Sequence, residues 1–411
     1  MPPRLAIVES HPIQYKAPLF RRLAADPRLD MTVYYATIPD AAVQGDGFGV
    51  AFEWDVPLLE GYRHVVLRNR ARHPSVTRFG GCDTPEMYRR LRDDRPDAVL
   101  VNGWVVKTCL QALWACRRLG IPCLVRGEAN LLRPRAAWKR ALHRLLLRQY
   151  RGYLAIGAAN RAFYRFHGCP EDRIFFAPYA VDNDRFAAAA AERRGRRGEL
   201  RAAFNLPADA VVFLFCGKLE AKKRPMDALR ALETAPAASA AGSSAAALLV
   251  VGDGPLRADC ERFARDRKLP AVFAGFLNQS RLPDAYAAAD VLVLPSDAGE
   301  TWGLVVNEAM ASGRPAIVSR AAGCCEDLVV EGETGFAFDC GDAPALAERM
   351  GRYLADPALA GRQGGAASRR IERFDLSAAA EGIAQAVCAT VQCRRSGREN
   401  GPRGEPGANP R

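Results

Sequence analysis

No stretch of this 411-residue chain approaches the roughly 18 consecutive apolar residues that a membrane-spanning helix needs. None of its 12 cysteines is spaced C-x-x-C, and its 5 histidines do not gather beside them. Cys109, Cys116 and Cys123 recur every seventh residue without a histidine cluster, so neither a zinc site nor a disulfide framework is expected. The cysteines read as buried reduced thiols, with the vicinal Cys324-Cys325 the pair to watch for oxidation. The first strand-to-helix turn lacks the G-x-G-x-x-G of dinucleotide binders. The start, Met1 to Ser10, passes straight into a strand pattern rather than a charged segment and a long apolar one. No secretory signal is therefore expected, and the expected location is the cytoplasm.

Hydrophobic residues make up 49% and charged residues 25%, a soluble composition, and the length suggests two domains. The net charge of +12 is uneven. Residues 1–184 hold 28 Lys and Arg against 18 Asp and Glu, giving +10, and the remainder holds 30 against 28, giving +2. A nucleic acid, an anionic lipid or an acidic substrate would each suit the basic first half.

Strand patterns at Leu5–Glu9, Met31–Ala36, Ala98–Asn102, Pro122–Arg126 and Tyr153–Ile156 alternate with helical stretches near Lys16–Ala25, Thr84–Asp94, Lys107–Leu119, Ala136–Gln149 and Asn160–His167. A second set begins at Val211–Cys216 and continues through Leu248–Val251, Val272–Phe276, Val291–Leu294, Ala316–Ser319 and Gly335–Phe338. Alternation of this kind implies α/β architecture with two doubly wound, Rossmann-like parallel sheets. The expected division is a first domain over 1–184, a linker over 185–207 and a second domain over 208–374. A closing helix over 375–393, able to pack back on the first domain, and a disordered Gly, Pro and Arg-rich tail over 394–411 complete it. An Ala/Ser insert at 235–247 reads as a flexible loop.

The most informative stretch is Ser296–Ser312, SDAGETWGLVVNEAMAS, which follows the apolar strand Val291–Leu294. A strand, a polar Gly-containing loop and a helix leave backbone N–H groups and the positive end of a helix dipole at the carboxyl edge of a sheet, where a phosphate fits. Glu300 in the loop and Glu308 in the helix bracket it, with seven residues between them. Alone, such a pair is as readily a helix-start acid and a solvated face. Lys218 and Lys223, just past the first strand of the second half, should face the same crevice and could neutralise a diphosphate without a metal. Gly323, Gly332 and Gly335 add turns near that edge. Asp182-Asn-Asp184 mimics a metal-binding D-x-D, but in a connecting segment it reads better as a turn.

These runs, with Gly252-Asp-Gly-Pro255, Phe273-Ala-Gly-Phe276, Asn307-Glu308-Ala-Met-Ala-Ser-Gly313 and Ala180-Val-Asp182…Phe186, resemble the family 4 retaining glycosyltransferases over about residues 173–375. His11-Pro-Ile-Gln-Tyr15 resembles the start of some bacterial members. The resemblance implies the GT-B fold, two Rossmann-like domains facing across a cleft, and retaining transfer of a hexose-type sugar from a nucleotide donor in cell-envelope polysaccharide or glycoconjugate synthesis. It implies that Lys218 and Lys223 hold the donor diphosphate, Glu308 the ribose and Glu300 the donor sugar. Backbone at Thr301, Trp302, Gly303 and Leu304 would meet the phosphate, and Gly275 and Phe276 would line the base. On the acceptor side, Arg126 or Glu128 would stand where many members carry a histidine, with His11 and Gln14 nearby. Glu300, Lys218, Lys223, Glu128 and Arg126 are the catalytic candidates, and no metal or other cofactor is expected. The expected partners are a nucleotide-diphosphate sugar, a glycan or lipid-linked acceptor and an anionic membrane surface, not nucleic acid. An epimerase or phosphorylase on the same fold, or a non-catalytic basic RNA- or membrane-binding protein, is the alternative.

Within Arg133–Arg151, Trp138, Leu142, Leu145, Leu146 and Tyr150 can share a helix face, while Arg135, Lys139, Arg140, Arg144, Arg148 and Arg151 crowd the others. Two readings stand: a core-facing helix with a solvated basic face, or a peripheral membrane contact through Arg140, Arg144 and Arg148 at the inner face of the plasma membrane.

Overall fold

The computed structural model describes residues 1–45, 49–235 and 245–399, without the side chains of 395–399. Seven parallel strands build the first sheet: β1 Arg4–Glu9, β2 Asp30–Tyr35, β3 His64–Val66, β4 Ala98–Val101, β5 Cys123–Val125, β6 Gly152–Ala155 and β7 Ile174–Phe176. Six build the second: β8 Val211–Cys216, β9 Ala246–Val251, β10 Ala271–Gly275, β11 Val291–Leu294, β12 Ala316–Ser319 and β13 Gly335–Phe338. The orders are β3-β2-β1-β4-β5-β6-β7 and β10-β9-β8-β11-β12-β13. Both sheets are doubly wound, and each reverses strand order once, beside its first strand. Such a point, at the carboxyl ends of the strands, is where α/β sheets bind ligands. The central strands are apolar throughout because helices cover both faces; every residue of β8, VVFLFC, is buried.

Three expectations about organisation need correction. Residues 185–207 are not a linker: helices Asn183–Arg193 and Arg197–Ala203 pack on helices Leu282–Ala288 and Leu304–Ala311 of the second domain. Phe186, Leu200 and Phe204 are buried in that domain's core. Asp182 caps the first of these helices, its carboxylate accepting from the Arg185 N–H, so the D-x-D is a helix start. The closing helix is also longer than expected, Leu376–Glu399. Its Ala379, Ile383, Val387 and Val391, four residues apart, are buried with Leu5, Ile7 and Phe20 of the first domain. This helix thus crosses back onto the first domain. The insert at 235–247 lies mostly, and the tail beyond 399 wholly, outside the described residues.

The domains also touch directly. Phe52 stacks near Phe276 at 4.2 Å between ring centres, Asn278 donates to the Glu53 carbonyl at 2.7 Å, and Asp327 accepts from the Ala158 N–H at 2.9 Å. The last contact caps helix Ala158–Phe166 from across the cleft.

Candidate active site

At the second domain's reversal point, β8 and β11 run side by side and release two loops into the cleft. After β8 come Gly217, Lys218 and a single turn ending at Lys223; after β11 come Ser296 to Gly303 and then helix Leu304–Ala311. Lys223 and Glu300, far apart in sequence, meet here in an ion pair, and the Ser296 hydroxyl lies 3.3 Å from the same carboxylate oxygen. Both charged side chains are largely withdrawn from solvent, so their attraction is little screened.

Two glycines let the loop close on the sheet. Gly303 has φ +113°, and a Cβ there would come within 2.7 Å of Leu294 Cδ2 and 3.2 Å of Cys324 Sγ. At Gly323 a Cβ would fall 1.9 Å from the Thr301 carbonyl, because the Gly323 and Cys324 amides donate to the Glu300 and Trp302 carbonyls. Cys324 is fully buried beneath this turn and burial pushes its thiol well up; Cys325 is buried too. The pair is packing rather than an oxidation-prone surface thiol.

Glu308 is only 8% exposed, and its carboxylate accepts from the Tyr286 hydroxyl at 2.6 Å. Burial raises its pKa to about 7, only partly offset by that hydrogen bond and by Arg185. A carboxyl so desolvated gains from any further hydrogen-bond donor that reaches it. Gly275 and Phe276 lie at the end of β10, where the Gly275 carbonyl accepts from the Gly252 N–H at 2.7 Å and Phe276 meets Phe52 of the first domain. Trp302 is buried: its indole N–H donates to Asn307 at 2.9 Å and its ring lies 6.2 Å from Tyr179. Its side chain therefore anchors the loop, leaving only its backbone, with Thr301, Gly303 and Leu304, for the role expected there.

The first domain contributes from the carboxyl ends of β1 and β5, on either side of β4. Its Glu128 carboxylate accepts from Thr301 of the second domain at 3.0 Å and from the Tyr179 hydroxyl. Arg126 is not free to meet an acceptor as expected. Its guanidinium is buried, donates to the Pro178 and Ala177 carbonyls at 2.7 and 3.2 Å, and lies 5.0 Å from the Tyr179 ring. It positions Tyr179, and through it Glu128. His11 and Gln14 line an interdomain cavity of about 1060 Å³ that Lys218 also lines. Burial and the neighbouring Lys16 lower the His11 pKa to about 4, so it is a neutral imidazole whose Nδ1 lies 2.9 Å from the Ser10 hydroxyl.

Arg140 and Arg144 on helix Ala137–Leu147, and Arg148 just after it, are exposed, and the apolar stripe beside them is not in the core. Trp138, Leu142 and Leu145 are 65%, 55% and 59% exposed, whereas Tyr150 is buried and Leu146 half-buried. Five-residue sharing of one face is thus wrong: only the outer three form the exposed stripe. Among the described residues no His, Cys, Asp and Glu group is arranged to hold a metal.

Several participants carry no sequence signal. Lys16 reaches Glu9 at 2.9 Å, and Asn102 donates to the other oxygen of Glu9 at 2.5 Å, joining the ends of β1 and β4. Tyr286, the partner of Glu308, lies 22 residues upstream of it. Asn307 ties Trp302 to the Tyr179 carbonyl at 3.2 Å, bridging the domains. Only the strand order brings these groups together.

Two Rossmann-like domains with a carboxylate, a lysine pair and a helix start at the interdomain edge define the GT-B architecture. Residues 196–370 match the model of the family described as Glycosyl transferases group 1. Among curated relatives, a D-inositol 3-phosphate glycosyltransferase of Streptomyces avermitilis is 34% identical over 223 residues, covering 52% of this chain and 46% of its own. The sulfoquinovosyl transferase SQD2 of Arabidopsis thaliana is 40% identical over 137 residues, 33% and 26% of the two chains. The chain spans about half or less of the length of these curated relatives. Anabaena Alr3699/HepE, solved in complex with UDP and glucose, superposes with a TM-score of 0.70 at 16% identity, over 94% of this chain and all of that one. Sucrose-phosphate synthase of Thermosynechococcus elongatus gives 0.69 at 20% identity, over 97% of this chain and all of that one. These two establish the fold over nearly the whole length.

Proposed function

We propose that the protein is a retaining glycosyltransferase of the family 4 type that moves a sugar from a nucleotide-diphosphate donor to a glycan or lipid-linked acceptor, in cell-envelope polysaccharide or glycoconjugate synthesis. The observation that carries this reading is the meeting of Lys223, Glu300 and the start of helix Leu304–Ala311 at one sheet edge, with buried Glu308 behind it. A donor diphosphate placed there meets Lys218, Lys223 and the amides of Thr301 to Leu304. It draws Lys223 from Glu300, which frees that carboxylate for hydroxyls of the sugar. Ribose hydroxyls donate to Glu308, and the base lies along Gly275-Phe276. In the transfer, the bond from the anomeric carbon to the diphosphate oxygen breaks and its electron pair leaves with the nucleotide. An acceptor oxygen bonds the same carbon and gives up its proton to the departing phosphate. Fixed positive groups aimed at the leaving oxygens stabilise the charge as it develops, so no divalent ion is required. Glu128, held by Thr301 and Tyr179, stands on the acceptor side. A screen of nucleotide sugars for hydrolysis and transfer, with the product anomer read by NMR, tests the reading. Turnover after exhaustive chelation supports it, and an inverted product or no activity with any donor rejects it.

The setting we propose is the cytoplasmic face of the plasma membrane, which the helix Ala137–Leu147 favours. Residues 101–150 hold ten Lys and Arg against one acid, and Trp138, Leu142 and Leu145 face solvent in their midst. Each basic residue near an anionic surface contributes about 1 kcal/mol, and the apolar side chains add to this by leaving water. Together they suffice for reversible peripheral binding. The protein should cosediment with anionic but not neutral vesicles, and Arg140, Arg144 and Arg148 changed together to Gln should release it. Salt-independent binding, or equal partitioning of wild type and triple variant, rejects the setting.

A further inference from the structure

A second cavity, of about 330 Å³, opens at the first domain's reversal point, beside Glu128. Lys16, Asn102, Trp104, Arg126, Arg135 and His143 line it, with Glu128 and Thr301 at its inner edge. Its charge is unbalanced. Of its three cations only Lys16 has a carboxylate partner, Glu9. The Arg126 guanidinium is held by carbonyls and the Tyr179 ring, and that of Arg135 by the Asn130 carbonyl and the Phe163 ring. Neither arginine makes an ion pair among the described residues, although the buried Glu9 feels the charge of Arg126 through space. Burial and Arg133 pull the Arg135 pKa down, which marks a cation held where charge is poorly solvated. Arg126 Nε and His143 Nδ1 are buried without a hydrogen-bond partner among the described residues, so each is a polar group that a ligand in the cavity could satisfy.

The mouth of this cavity is apolar. Val105, which lines it, is 65% exposed; Leu131 and Leu132, on the loop leading to the membrane-facing helix, are exposed as well. That helix turns His143 toward the cavity and Trp138, Leu142 and Leu145 toward solvent. One short segment thus offers cations inward and hydrocarbon outward.

We infer that this cavity takes the phosphate head group of an amphiphilic acceptor, whose hydrocarbon lies along Val105, Leu131, Leu132, Trp138, Leu142 and Leu145. The inference rests on the glycosyltransferase reading and names its acceptor class. The planar Arg135 guanidinium can match phosphate oxygens in pairs, and an anion there supplies the countercharge it lacks, while Arg126, held on its carbonyls, adds positive charge at the cavity wall. A head group so placed brings its neighbouring hydroxyls to the Glu128–Thr301 edge, beside the donor.

The test uses the full chain and phosphatidylcholine vesicles doped with either a long-chain prenyl phosphate or phosphatidylserine at equal surface charge. Wild type should bind the prenyl phosphate vesicles at least tenfold more tightly than the phosphatidylserine ones, and millimolar inorganic phosphate should not compete. Arg135→Gln should abolish that preference while leaving nucleoside diphosphate affinity unchanged, and Arg135→Lys should keep part of it. His143→Phe, which preserves ring packing, serves as a second variant should Arg135→Gln misfold, and should also weaken the preference. Equal binding to both lipids, an unaltered preference in both variants, or competition by free phosphate overturns the proposal. Because nucleoside diphosphate binding is measured alongside, absence of the lipid preference in the wild type with intact nucleotide binding refutes this inference alone. Absence of nucleotide binding refutes the reading beneath it.

Discussion

Glu308 offers a prediction in which stability and function move in opposite directions. Its carboxyl has moved from 4.5 to about 7 because burial outweighs the hydrogen bond from Tyr286. The native state therefore holds the proton more tightly than the unfolded chain does. The resulting contribution to stability is fully present below about pH 4.5 and is lost as pH rises through about 7. Above pH 7 the ionised group costs the fold up to about 3 kcal/mol, a ceiling set by the size of the pKa change. Glu308→Gln keeps an acceptor for the Tyr286 hydroxyl and removes the charge. Urea unfolding should then show the variant more stable than wild type at pH 8, by about 1–3 kcal/mol, and nearly equal at pH 5. Nucleotide binding should respond oppositely, since ribose hydroxyls donate best to a carboxylate. Calorimetry should find wild-type affinity falling about tenfold from pH 8 to pH 6. Glu308→Gln should bind weakly at both, and its smaller pH dependence isolates the Glu308 part from titration of the nucleotide itself. A variant no more stable at pH 8, with nucleotide affinity unchanged, would refute both the burial argument and the ribose assignment.

Gly303→Ala places a Cβ 2.7 Å from Leu294 on a backbone that side chains rarely adopt, and should cost about 2 kcal/mol or more in chemical unfolding together with nucleotide affinity. Glu300→Ala should leave nucleoside diphosphate affinity near wild type and lower turnover of the intact sugar donor at least a hundredfold, as steady-state kinetics will read. Asp327→Ala removes the cap that the second domain places on helix Ala158–Phe166. It should cost about 1 kcal/mol and increase cleavage between the domains in limited proteolysis, whereas Asp327→Asn, which retains the acceptor, should not. Arg126→Lys, losing the planar guanidinium that lies over the Tyr179 ring while one of its nitrogens donates to two carbonyls, should lower turnover through displaced Tyr179 and Glu128 while leaving the pH profile unaltered.

Much of the second domain was legible because its chemistry is local. A strand, a loop and a helix written consecutively place Glu300 and Glu308 without knowledge of any other element, and β8 announces Lys218 and Lys223 in the same way. The first domain's site is not local. Glu9, Lys16, Asn102, Trp104, Arg126 and His143 come from five separate segments and meet only because β1, β4 and β5 are neighbours in the sheet. The segment 185–207 was misread for another reason. Its helices bury few large side chains amid Ala and Arg, so the apolar period that marks an amphipathic helix is faint. The edge strands β3 and β7 are three residues each and partly exposed, too short to display alternation. The helix Ala137–Leu147 showed its amphipathicity plainly, but a sequence cannot say which way an apolar stripe points. Here the fold points it outward.

The second domain's edge is proposed as a diphosphate site served by lysines and helix amides rather than by a metal. The direct measurement is calorimetric titration with a panel of nucleoside diphosphates and the matching monophosphates, in chelator, on wild type and Lys223→Ala. Wild type should bind at least one diphosphate ten or more times more tightly than its monophosphate, and Lys223→Ala should erase the difference. Binding of no diphosphate, equal affinity for mono- and diphosphate, or binding restored only by a divalent cation would contradict it.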